Sequence, residues 1–94
     1  MELDRVYTYE KEPNKVMINC GNDYYDKYFI LLCEWLEKGY IVSPYIDCIG
    51  HSRNNRSQES YKQALENKYG ERLETIFHEG VCSYSYSYKL KEEI

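Results

Sequence analysis

Basic charge is scarce in this sequence: 12 Lys and Arg stand against 16 Asp and Glu over 94 residues, a net charge of −4. Lys and Arg supply non-specific affinity for phosphates by releasing counterions, so direct nucleic-acid binding through a broad basic face is not expected. Long apolar runs are missing too. The longest, Tyr28 to Cys33, is far short of the roughly 20 residues a bilayer-spanning helix requires. The opening Met1-Glu2-Leu3-Asp4-Arg5 is acidic where a secretory leader would be basic. The expectation is a cytoplasmic protein that does not engage a membrane, its Cys20, Cys33, Cys48 and Cys82 reduced and not disulfide-bonded. Repeats and linker-like stretches are absent, so one α+β domain is expected over 1–94. A chain this short buries only roughly 60% of its unfolded surface, which leaves room for one modest core and excludes large multi-step enzymes.

Alanine is nearly absent, with Ala64 alone, whereas tyrosine occurs 12 times. A small core cannot take twelve hydroxyls without partners, so several rings are expected at the surface. Hydrophobic residues at 43% and charged residues at 30% lie near the globular norm and predict a folded chain.

Leu3 to Tyr9 and Lys15 to Cys20 have strand composition, and Glu10-Lys11-Glu12-Pro13-Asn14 supplies turn chemistry, predicting a hairpin. From Asn22, a candidate N-cap, Tyr25, Tyr28, Phe29, Leu32 and Leu36 follow helical spacing up to Gly39. Ile30, Leu31 and Trp35 widen that apolar face beyond what one core contact needs. Tyr40 to Ile49 predicts a strand in which Pro44 requires an edge position, a bulge or an early end. Gly50 to Arg56 has no periodicity and reads as a loop, with Asn55 or Ser57 capping a second helix that carries Tyr61, Leu65 and Tyr69. Glu71 to Phe77 fits either a helix continuing past Gly70 or a strand, and Leu73 and Ile76 in helical register favour the helix. Val81 to Leu90 alternates, with Tyr84, Tyr86 and Tyr88 on one side and Ser83, Ser85 and Ser87 on the other. The order β-β-α-β-α-β predicts a two-layer α+β sandwich, a four- or five-stranded mostly antiparallel or mixed sheet with two helices on one face.

Three groups of residues have chemical content. His51, Arg53, Asn55, Arg56 and Ser57 form a locally basic stretch entering a helix and would suit a nucleotide or another phosphate; a solvated loop is the plainer reading. Cys48-x2-His51 and His78-x3-Cys82 have zinc-like spacing, although two histidines and two buried thiols without mutual contact are the plainer reading and no metal is expected. The same residues could supply a thiol and a base, but no oxyanion site accompanies them. Tyr84, Tyr86 and Tyr88, joined by Trp35 and Tyr24, are interface-type aromatics, while a tyrosine stripe can also be the inner face of a sheet.

The span Lys15 to Asp47, with its Gly39-Tyr40-Ile41-Val42-Ser43-Pro44 segment, resembles the opening β-α-β of nucleoside deoxyribosyltransferase-like proteins. There a helix ending in Gly leads into a strand closing with Pro. The resemblance implies a β-α-β unit over about a third of the chain. That family's Gly-rich first loop and later acidic catalytic segment are missing here, so no catalytic residue carries over. The sequence leads to a non-enzymatic, acidic, tyrosine-rich protein that binds a protein partner, of the kind phages and mobile elements use to inhibit a host protein, with no cofactor required. A homodimer and a phosphate-ligand binder are the other expectations.

Overall fold

The computed structural model describes residues 5–47 and 50–91. The elements are β1 (Val6–Thr8), β2 (Lys15–Asn19), α1 (Asp26–Glu37), β3 (Ile41–Tyr45), α2 (His51–Tyr69), β4 (Leu73–Glu79) and β5 (Tyr84–Leu90), with a 3-10 turn at Gly70–Arg72. The strands form one five-stranded mixed sheet in the order β1-β2-β3-β5-β4. β2 and β3 are parallel, as a β-α-β unit through α1 requires, and the other neighbouring pairs are antiparallel. Among the described residues no helix is long and apolar enough to cross a membrane.

Alternation along the strands separates the two sides of this sheet. Val16, Ile18, Val42 and Tyr88 point into a core cluster shared with Tyr28, Leu32 and Leu36 of α1 and Tyr61 and Leu65 of α2. Met17, Ser43 and Ser87 occupy the intervening positions and point away from it. The helical ladder of α1 buries Tyr28, Leu32 and Leu36 as its spacing predicts, and Gly39, at φ +93°, turns the chain out of the helix. The start differs: α1 begins at Asp26, and Asn22 accepts a bond from the Tyr25 hydroxyl at 2.7 Å without capping the helix.

Two other expectations are corrected. The stretch 50–56 is not a loop, because α2 starts at His51, well before Asn55 or Ser57. It lacks apolar periodicity because the inward residues of this part of α2 are polar: Asn54 and Asn55 bond to Tyr84, and Ser57 and Gln58 after them are buried and hydrogen-bonded. Leu73 to Glu79 is a strand and not a continued helix. Gly70, at φ +58°, ends α2, and Leu73 begins a seven-residue ladder with β5. Pro44 lies in an interior strand of the sheet, where it stops one of two ladders.

Candidate functional site

β3 treats its two neighbours differently. Against β2 it pairs through all five residues, Lys15–Asn19 with Ile41–Tyr45. Ile41 N–H donates to Asn14 O and Cys20 N–H to Tyr45 O, so the odd-numbered residues of β3 address β2. The even-numbered Val42 and Pro44 therefore address β5. Val42 pairs with Tyr88, and the ladder stops there. The next even residue is Pro44, which has no N–H to donate.

Carboxamides of α2 take up the strand groups left behind. Gln58 Nε2 donates to Pro44 O at 3.0 Å, while Gln58 Oε1 accepts from Tyr86 N–H at 3.4 Å. One buried amide thus spans a break between two strands. Further along, Asn54 Nδ2 donates to Tyr84 O at 3.1 Å, and Asn55 Oδ1 accepts from Tyr84 N–H at 3.2 Å. Gln58 alone serves both strands, which takes a side chain carrying both donor and acceptor and is the reason Gln stands there and not Glu or Leu, whereas Asn54 and Asn55 divide the two roles at Tyr84.

Where β3 and β5 separate, a cavity of about 440 Å³ opens, lined by Ser43, Tyr45, Gln58, His78, Tyr84 and Ser87 among others. Ser87, only 2% exposed, lies within 2.6 Å of both Ser43 Oγ and His78 Nε2. This hydroxyl–hydroxyl–imidazole chain crosses β3, β5 and β4. Around it, on the side away from the core, stand Met17, Tyr7 and Tyr45, the two tyrosines each 46% exposed. Gly80 closes the β4–β5 turn at the cavity rim, where a Cβ would run into the Ser83 carbonyl oxygen.

The residues singled out from the sequence are dispersed. Tyr88 is fully buried and Tyr86 nearly so, which removes both from the surface: the stripe faces the core, and only Tyr84 keeps partial exposure. The Tyr84 and Tyr86 hydroxyls both donate to Glu59, at 2.9 and 2.6 Å. That pairing, led by Tyr86, holds the Glu59 carboxyl below its usual range, while burial first and the carboxylate second raise Tyr86. Trp35 is half-buried edge-on to Tyr40, and Tyr24 lies 4.7 Å from the Tyr61 ring, so neither joins the tyrosine stripe.

Of the phosphate-binding candidates, Asn55 is committed to Tyr84, and Ser57 is buried with its hydroxyl on Asp23 at 3.4 Å. His51, Arg53 and Arg56 are exposed on the first turns of α2. Cys48 lies outside the described residues. His51 starts α2, His78 is bonded to Ser87, and Cys82 is exposed in the β4–β5 turn. Among the described residues no cluster of His, Cys, Asp or Glu has the arrangement of a metal site. Burial raises the thiols of Cys20, to about 12, and of Cys33, which disfavours the thiolate at both.

The Ser43–Ser87–His78 chain was not singled out in the sequence. The only signal was the serine side of the Val81–Leu90 alternation, which ordinarily means solvent. Comparison with protein-family models, with curated proteins and with solved structures found no match for the chain.

Proposed function

We infer that this chain is a protein-binding domain and that its contact surface is the sheet side facing away from the core. The observation that carries this reading is the grouping of exposed aromatics around a cavity: Tyr9 and Tyr45 line the opening at the β3–β5 fork, and Tyr7 stands opposite Met17 on the same side. Interfaces concentrate their energy where a rigid aromatic rim surrounds a pocket that takes one anchor side chain. The cavity is lined by Ser43, His78 and Tyr45 among others, residues whose hydroxyl and imidazole groups suit a hydrogen-bonding anchor. A net charge of −4 steers encounter with a basic partner surface, in keeping with a small inhibitor that occupies such a surface on its target. The phosphate-ligand reading retains fewer groups, since Asn55 and Ser57 are used inside the fold.

Placing a photo-activated cross-linker at Tyr45 and, separately, at Ile30 of α1 tests the surface. A defined protein adduct formed at Tyr45, absent at Ile30 and abolished by Ser43→Phe, which fills the cavity, supports it. Equal adducts at both positions, or none at Tyr45 alongside one at Ile30, contradict it.

A further inference from the structure

β4 is the last strand of the sheet, and among the described residues no strand pairs with its outer side. This edge runs for seven residues, against three in β1 at the opposite end. It also exposes apolar side chains, Phe77 at 55% and Ile76 at 36%, among the exposed Glu74, His78 and Glu79. Lys91 N–H donates to Arg72 O, and Leu73 stands opposite Leu90. Antiparallel ladders alternate between bonded and non-bonded pairs, so Glu74, Ile76 and His78 turn their backbone groups toward β5. Leu73, Thr75, Phe77 and Glu79 therefore turn theirs outward. A long edge with outward N–H and C=O groups is a template for another strand.

We propose that β4 pairs antiparallel with β4 of a second copy of this chain, centred on Ile76, to form a continuous ten-stranded sheet. Outward residues must meet outward residues, which limits a two-fold pairing to registers centred on one residue. Centred on Ile76, all seven residues of each strand are matched. Thr75 then faces Phe77 of the second copy, Ile76 faces itself, and Glu74 faces His78 in both halves. The last match is the complementary one. His78 Nε2 is engaged with Ser87, leaving Nδ1 to meet the carboxylate of Glu74 from the second copy. Centring on Phe77 sets His78 against Ile76, and centring on Thr75 sets Glu74 against Ile76; both shorten the overlap and lose the Glu–His match. In the proposed register the two Phe77 rings become diagonal neighbours, within the reach of aromatic side chains across a strand pair. The pairing uses the sheet edge and does not rest on docking to its open side.

Light scattering of the unaltered chain across a concentration series is the first test, and a mass twice 11.3 kDa is expected. Register is read by cross-linking in a Cys48→Ser/Cys82→Ser background. Ile76→Cys meets its own counterpart at disulfide-forming distance and is expected to oxidise to a covalent dimer, whereas Thr75→Cys, opposite Phe77, is not. Thr75→Pro removes an outward donor, spares the β4–β5 ladder and is expected to give a folded monomer. A parent that stays at 11.3 kDa at several hundred micromolar overturns the proposal and leaves the edge to a foreign strand or to water. Dimers formed equally well by Thr75→Cys and Ile76→Cys overturn it as well.

Discussion

β3 has a continuous ladder on one side and a fork on the other. Toward β2, backbone pairs with backbone over five residues, and side chains are free to alternate between core and exterior. Toward β5, one proline ends the ladder, and three carboxamides of α2 replace the groups that a strand would have supplied. The contrast shows that an interior strand accommodates proline when a neighbouring helix brings side-chain amides to the orphaned backbone. It also shows why the fork leads to an opening: strands held apart by side chains leave space that strands held by backbone do not.

The largest effect is expected from breaking the fork. Gln58→Leu keeps the volume but strands Tyr86 N–H and Pro44 C=O in a buried setting, and should lower unfolding stability by about 3 kcal/mol in urea titrations. Met17→Leu on β2 alters no bond and should change stability by less than about 1 kcal/mol. A similar loss in both variants would erase the contrast between the two sides of β3.

A smaller effect is expected where α2 holds the loop before α1. The Tyr61 hydroxyl accepts from Tyr25 N–H at 3.1 Å and donates to Asp23 O at 3.2 Å. Tyr61→Phe removes both bonds and should cost about 1–2 kcal/mol by thermal unfolding.

Acid should weaken the fork side selectively. The folded-state pKa of Glu59 is depressed, chiefly by the Tyr86 hydroxyl, with Tyr84 and Lys62 adding to it against desolvation. A depressed carboxylate contributes stability that is full above its unfolded value, about 4.3, and is lost as pH falls through the folded one. Stability should therefore fall below that range, and Tyr84→Phe/Tyr86→Phe should flatten this acid limb. An unchanged limb in the double variant would remove Glu59 from the account.

The smallest effect is expected at Tyr88, whose buried hydroxyl has no hydrogen-bond partner among the described residues. Tyr88→Phe should leave stability unchanged or raise it slightly, since it deletes an unsatisfied polar group and keeps the ring.

What was legible in the sequence follows the same division. The opening hairpin and the first helix could be read because backbone ladders and apolar spacing leave periodic patterns. The fork could not. Asn54, Asn55, Ser57 and Gln58 look like loop or solvent residues, yet Ser57 and Gln58 are fully buried on the inward side of α2. Leu73 and Ile76 fit helical spacing, and only the turn at Gly70 and the pairing with β5 decide for a strand. The serines of β5 carried no apolar signal, although Ser87 lies buried between Ser43 and His78. Pro44 was the one readable mark of the fork, since it called for an edge, a bulge or an early end, and the ladder toward β5 does end early.

The most direct test of side-chain amides standing in for a strand is amide hydrogen exchange at Tyr86, followed by NMR in the parent and in Gln58→Leu. The account predicts that Tyr86 N–H is protected in the parent to the level of its ladder neighbour Tyr88, and that Gln58→Leu releases Tyr86 while Ile18 in β2 stays protected. Tyr86 exchanging at the same rate in both proteins would contradict it.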